Sequence, residues 1–293
     1  MRLVDAHIHV WRRDDLPWLA GPMQPRIFGP YEPIRRDYPI EEYLLDVAAH
    51  DVEAAVYVQA NWPADRAEDE VAWVSSLTAR TGWPQAVVAH ADVAQGDVRP
   101  ALDRLLRYPL LRGIRQQLHW HENRQYRFAA RADLCADPVV QRNVARIGET
   151  GLVFELQVFA GQMQWAAELA DAAPGTTLVL QHAGMLEDLS PGGVDAWRRG
   201  MALLAARPNV VAKLAGLGTF LHRLDRAHIA MVARETVGLF GAERCLFGSN
   251  FPIEKLWTDY AALASAWRDT ARSFDEAVAQ AILHGTARRV YRL

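Results

Sequence analysis

Basic charge is scarce in this sequence. Its 293 residues hold 32 lysines and arginines against 35 aspartates and glutamates, a formal net charge of −3. Nucleic-acid binding runs on a surplus of cations that neutralise phosphates, so nucleic acid is excluded as an expected partner. Cysteine is nearly absent. Cys135 and Cys245 stand far apart and have no CxxC or CxxH neighbours. A small disulfide scaffold is thereby excluded, and two buried free thiols in a reducing compartment are expected rather than one disulfide. No apolar run approaches the roughly 18 residues of a membrane-spanning helix. Asp5 and His7 interrupt the stretch where a signal peptide would place its apolar core, so a cytoplasmic protein with no membrane partner is expected. There is no GxGxxG after the first apolar run, no low-complexity linker and no break in composition.

What is present is ordinary globular material, 51% hydrophobic and 23% charged, enough to bury a large core. Length alone suggests about two domains at roughly 150 residues each, although α/β barrels run to about 250 residues as one. Eight short apolar or β-branched runs punctuate the chain: Leu3–Val10, Ala54–Gln59, Ala86–Ala91, Leu111–Gln116, Leu152–Gln157, Thr177–Gln181, Val210–Leu214 and Arg244–Gly248. Several are almost continuously apolar, the pattern of strands buried on both faces. Between them lie segments with helical spacing: Ile40–His50, Glu68–Thr81, Val98–Tyr108, Pro138–Thr150, Gln162–Ala173, Val194–Ala206, Ala227–Phe240 and Thr258–Arg272, then Phe274–His284. Strict alternation predicts parallel strands with helical crossovers, and eight units can close into a (β/α)8 TIM barrel. One domain over residues 1–293 is expected, an open doubly wound sheet being the rival. The longest structureless stretch, Arg12–Tyr38, follows the first strand on the face where barrel sites form, and loops of that length are often functional.

The sharpest motif is Asp5-Ala6-His7-Ile8-His9. Side chains alternate along a strand, so His7 and His9 should share a face. Two adjacent imidazoles can bind one divalent metal or position a carbonyl; the plain alternative is a pair of buried histidines satisfied by neighbours. Other strand ends carry polar groups where a packed core prefers apolar ones: Arg115 and Gln116 with His119 beyond, Glu155 and Gln157, Gln181 and His182, and Ser249 with Asn250. Barrels build their sites from such positions.

In this order and spacing the segments GIRQ, FELQ, QHAG, Lys213-Leu-Ala-Gly-Leu-Gly and Phe247-Gly-Ser-Asn-Phe-Pro resemble the amidohydrolase superfamily. They are most similar to its amidohydrolase 2 branch, which includes sugar-acid lactonases. The resemblance implies a (β/α)8 hydrolase that opens a lactone of a sugar acid or a related carboxylated ring. The sequence departs from it where two-metal members place Lys or Glu on strand 4 and His on strand 5, and at Asn250, where the branch usually has an Asp base. A binuclear centre is not expected. One divalent ion such as zinc on His7, His9 and His182, helped by Glu155, is the metal alternative, and metal-independent catalysis is favoured.

The roles that follow are these. His7 and His9 polarise the carbonyl, or hold a metal that does. Arg115 binds a carboxylate or the oxyanion. His182, or failing it Glu155, takes a proton from water with a pKa near that of ordinary histidine. Asn250 orients water or the ring oxygen. Gln59, Trp62, Gln116 and His119 are candidate substrate contacts, and Lys213 holds a substrate carboxylate or pairs with Glu155. Trp11, Trp18, Phe28 and Tyr31 of the first loop are candidates to stack on a sugar ring or cover the site. Rival activities are amide or ester hydrolysis, decarboxylation, and sugar-acid binding without turnover, the last favoured by Asn250. The partner in every case is a small molecule; no interface motif indicates an oligomeric state.

Overall fold

Eight parallel strands form one sheet in the computed structural model, which describes residues 1–293. They are β1 (Leu3–Ile8), β2 (Val52–Val58), β3 (Ala86–His90), β4 (Leu111–Arg115), β5 (Val153–Leu156), β6 (Leu178–Leu180), β7 (Val210–Leu214) and β8 (Cys245–Phe247). Each pairs with its sequence neighbour. The last and first strands meet beyond β8, where Ile8 bridges Phe251. There the His9 amide donates to the Phe251 carbonyl and the Asn250 amide to the His7 carbonyl, both at 2.8 Å. The result is a (β/α)8 TIM barrel, tied shut at its C-terminal rim.

Helices Ile40–Val47, Ala67–Thr81, Arg99–Leu105, Pro138–Glu149, Met163–Ala172, Pro191–Ala205 and Arg226–Phe240 occupy the seven crossovers, and Tyr260–Ala271 follows β8. Their starts follow local chemistry. Asp137, Ser190, Asp225 and Asp259 each accept from a first-turn amide, and such a cap typically contributes about 1 kcal/mol. The expected last helix is less regular. Glu276–Gln280 runs through a wide π turn, Ala281–Gly285, into Thr286–Tyr291.

Two apolar clusters separate inside from outside. A larger one joins sheet to helices. A smaller one fills the barrel with Val4, Ala6, Val56, Val58, Val88, Val153, Val179, Val211 and Leu246, and continues onto Val290 and Tyr291 of the last helix, which plugs the N-terminal end. Alternation breaks once, in β1. A register shift between Asp5 and Ile8 lets Ala6 face inward while Asp5 faces the helices. There Asp5 accepts from Tyr43 and Tyr260 hydroxyls at 3.2 and 3.1 Å and from the Ser249 amide at 2.7 Å. The two cysteines are buried free thiols, and no helix is long and apolar enough to cross a membrane.

Candidate active site

A cleft of about 770 Å³, counted with its open mouth, lies over the C-terminal strand ends. Its floor is drawn from many strands: His7 and His9 from β1, Gln59 after β2, Arg115 from β4, Gln157 after β5, His182 after β6 and Asn250 after β8. His119 also lines it. The rings of His7 and His9 lie 5.0 Å apart, as do those of His7 and His182.

The imidazoles differ in what they can offer. His9 Nδ1 bonds the Val58 carbonyl at 2.7 Å and His182 Nδ1 the Ala215 carbonyl at 3.0 Å. A carbonyl only accepts, so both rings carry their proton on Nδ1 and present a bare Nε2 lone pair. His7 is fully buried, with neither ring nitrogen bonded to protein, so either can carry its N–H. His9 therefore cannot polarise a carbonyl as a neutral donor, contrary to expectation; its free nitrogen accepts.

Protonation is suppressed throughout. Burial, and then the Arg115 charge, hold His9, His119 and His182 down at about 3. Burial followed by the Lys213 charge pushes His7 well below the usual histidine range. The pKa of His182 is thus drawn below the ordinary value expected for it, because its ring is partly buried and faces the Arg115 cation. His182 reaches the cleft through left-handed backbone, φ 54°. Across it Gly216 sits so close that a Cβ would stand 2.6 Å from His182 Nδ1 and 3.0 Å from Asn250 Nδ2. Asn250 is itself left-handed, φ 61°, a region asparagine tolerates better than most residues.

Arg115 is the fixed charge of the floor. It is buried, donates to the Gln59 carbonyl and to Gln157 Oε1, both at 3.2 Å, and leaves Nε unpartnered. No carboxylate pairs with it directly, and burial lowers its pKa to about 10. No Asp or Glu lines the cleft, whereas Arg26 and Arg127 do. Arg26 lies over Trp18, and Gln125 near Arg127 donates to the Arg26 carbonyl at 3.0 Å, joining two loops at the mouth.

Four expected contacts are placed elsewhere. Gln116 points away from the cleft because Arg115 points into it; its side-chain oxygen accepts from the Val93 amide and its NH2 donates to Asp92, and Gln117 lines the cleft instead. Trp62 follows Asn61, whose φ of 64° turns the chain, and packs on Trp73 between Arg12 and Arg66. Glu155 and Lys213 are fully buried and bonded to each other at 2.7 Å, with Gln181 and Tyr291 completing the carboxylate's shell. That pair belongs to the barrel interior, so Glu155 is neither substrate contact, alternative base nor metal ligand. Gln59 and His119 line the cleft as expected. Trp11, Trp18 and Phe28 do so from the first loop, while Tyr31 packs behind, its hydroxyl donating to the Trp18 carbonyl at 3.1 Å. Arg26, Arg127 and Thr219 also line the cleft, and no motif or period in the sequence points to them. Gln157, noted only as a polar group at a strand end, has a clearer signal: it shares the parity of Glu155 and lies one step nearer the rim.

A model of the amidohydrolase family matches residues 4–293. The chain belongs to the amidohydrolase family. This amidohydrolase is 30% identical over 293 residues to the uncharacterized protein y4mH of Sinorhizobium fredii, spanning 99% of this chain and 98% of that one. It is 29% identical to an L-fucono-1,5-lactonase of Burkholderia multivorans over 99% of this chain and 96% of the relative. Among solved structures, an amidohydrolase of Burkholderia multivorans with bound zinc superposes with a TM-score of 0.83 at 28% identity over the full length of both chains.

A divalent metal would find donors of the right kind here, neutral imidazoles with two oriented by carbonyls. His7, His9 and His182, with the His7 ring 5.0 Å from each of the other two, are the residues that would hold it, although no ready-formed group of three ligands is present. The strand-8 position offers an amide, and the Arg115 cation shares the space.

Proposed function

We propose that this amidohydrolase opens the lactone ring of a small carboxylated substrate, of the sugar-acid class, by attack of water on the ring carbonyl. One observation carries the reading. The cleft floor combines neutral imidazoles bearing free lone pairs with a buried, unpaired guanidinium, and no acid lines it. That set accepts protons and attracts negative charge, the two needs of ester hydrolysis. The lactonase relative at 29% identity supports the substrate class.

In this mechanism Arg115 and a His7 N–H face the oxygen on which charge develops, where fixed donors contribute most. His182 Nε2 takes the proton from water as the new C–O bond forms, and returns it to the ring oxygen as the ring C–O bond breaks. As a weak base it does so only when the substrate's negative charge offsets Arg115. His9 Nε2 accepts from a ring hydroxyl, and the Asn250 amide orients the water. Arg26 and Arg127 at the mouth meet the carboxylate of substrate or product. No step is routed through a metal.

A pH-indicator assay over a panel of sugar-acid and carboxylated lactones tests the proposal. Acid release above the spontaneous rate, faster on carboxylated than on neutral rings, is the expected result. Carbon dioxide release, or no turnover of any lactone, refutes it. Asn250 favours one second reading, a sugar-acid binder lacking its base; saturable binding with no turnover would select it.

A further inference from the structure

We propose that Glu70 is a positioning residue for Arg115 and acts through one peptide unit: its carboxylate holds the N–H of the Gln59–Ala60 peptide, and the carbonyl at the other end of that peptide holds the guanidinium. The role in turnover rests on the lactone-hydrolysis reading; the chain of contacts does not.

The contacts start where β2 ends. Gln59 still follows the ladder, its amide donating to the Val88 carbonyl at 2.9 Å. The Ala60 amide has left the sheet and donates instead to Glu70 Oε1 at 2.6 Å, on the first turn of helix Ala67–Thr81. The Tyr57 hydroxyl donates to the same oxygen at 2.7 Å from the helix-facing side of β2. Arg115 Nη1 donates at 3.2 Å to the Gln59 carbonyl, the other end of the peptide that Glu70 holds. The rest of the turn is tied as well. The Asn61 amide donates to Gln59 Oε1 at 2.7 Å, and the Trp18 indole to the Ala60 carbonyl at 2.9 Å. Gln59, Ala60 and Asn61 line the cleft, whereas Glu70 lies behind them, 1% exposed.

Glu70 is costly to keep in that place. Its Oε2 is buried without a partner. Arg66, in the turn before the helix, pairs with Asp15 and Asp69 instead of with Glu70. An apolar side chain would fill the space without stranding a carboxylate. It would not take the Ala60 N–H, however, and a buried amide left bare is itself penalised. A glutamine would take the N–H but bring no charge.

The charge matters because Arg115 has no carboxylate beside it. Hydrogen bonds in a chain polarise one another. An anion on the N–H draws electron density onto the Gln59 carbonyl and strengthens its bond to Arg115. The counter-charge is thereby delivered across a peptide. The guanidinium is steadied, and no carboxylate stands in the cleft to compete with an anionic substrate.

The test uses NMR of whole protein labelled with 15N at alanine and arginine, without substrate, at pH 8. Burial raises the Glu70 pKa to about 7, so the carboxyl is largely ionised there. The Ala60 amide is assigned by its loss in Ala60→Gly, and the Arg115 Nη–H signals by their loss in Arg115→Met. In Glu70→Gln the acceptor keeps its place and loses its charge, so the Ala60 amide proton should move upfield. The Arg115 Nη1 protons should move the same way, and by more than those of Nη2, which bonds Gln157 and serves as the control. In Glu70→Met, which removes the acceptor, the Nη1 signals should broaden. An Ala60 amide unmoved in Glu70→Gln overturns the proposal, as do Nη1 protons that move no more than those of Nη2. So do Nη1 signals as sharp in a folded Glu70→Met as in wild type; if that variant does not fold, Glu70→Gln decides alone. This readout is independent of any lactone. On a substrate that is turned over, Glu70→Met should lower kcat/KM about 2–12-fold, the range of one net hydrogen bond, and Glu70→Gln should recover the larger part. The loss should nearly vanish in an Arg115→Met background, where nothing is left to position. No loss, or a loss by the same factor in both backgrounds, refutes the role in turnover.

Discussion

Replacing Arg115 by Met should weaken catalysis and leave the fold intact, because the two depend on the guanidinium with opposite sign. Its two protein bonds, at 3.2 Å, go to neutral acceptors. Losing them costs about 1 kcal/mol each at most where water can replace the donor. Against that, a buried cation without a paired carboxylate is removed, which relieves a desolvation penalty. Net stability should change little, so Tm should move by no more than about 3 °C at the roughly 2–4 °C per kcal/mol of a chain this size. Turnover is another matter. A charge-assisted hydrogen bond to substrate carries about 1.5–3 kcal/mol, so kcat/KM on a carboxylated lactone should fall roughly 10–150-fold. The pattern of loss assigns the bond: a fall in kcat on neutral and carboxylated rings alike places Arg115 at the oxyanion, and a fall confined to carboxylated rings places it at the carboxylate. Indicator kinetics on both ring types, with thermal melts of both proteins, give the answer. A kcat/KM within twofold of wild type, with the fold retained, would remove Arg115 from the reaction.

Three further outcomes are expected. Exhaustive chelation should leave lactone hydrolysis intact with no metal detected, since the strand-8 position offers the Asn250 amide in place of a carboxylate and the Arg115 cation shares the cleft floor; loss of activity restored by zinc would reverse this. Stability should decline as pH rises from about 6.5 to 8, because burial raises Glu70 to about 7 and Glu254 to about 8, so that the folded state holds protons the unfolded chain has released. Melts that keep rising through that window would contradict it; below 6.5 the depressed histidines act the other way, favouring unfolding as they are forced to charge. Gln116→Ala and Trp62→Phe should leave kcat/KM within about threefold, because both side chains lie outside the cleft and substitutions away from a special feature have small effects; a tenfold loss in either would show that the cleft reorganises around substrate.

The barrel was legible because its signals are local. Runs such as Ala86–His90 and Val210–Leu214 declare buried strands by composition. The crossover helices declare themselves by spacing and by caps at Asp137, Ser190, Asp225 and Asp259. The pairing of His7 with His9 on one face, and the placing of Arg115, His182 and Asn250 at strand ends, needed only the two-residue period of a strand and the order of the strands. What stayed hidden depends on where distant segments meet. The register shift in β1 turns Asp5 outward to tyrosines 38 and 255 residues away. Of the two alternatives the sequence left for Lys213, the pairing with Glu155 is the one found, and only the packing decides it, because β5 and β7 point both side chains into one dry space. Arg26 and Arg127 reach the same mouth from two loops whose paths no periodicity describes. The tautomers of His9 and His182 follow from the Val58 and Ala215 carbonyls of neighbouring strands, and their low pKa values from burial beside Arg115. Periodicity sets which way a side chain points from its own backbone. Which charge, carbonyl or empty space it then meets is decided by the packing of segments far apart in the chain, and that packing also decides whether a polar group at the rim becomes a base, a buried ion pair or part of the wall.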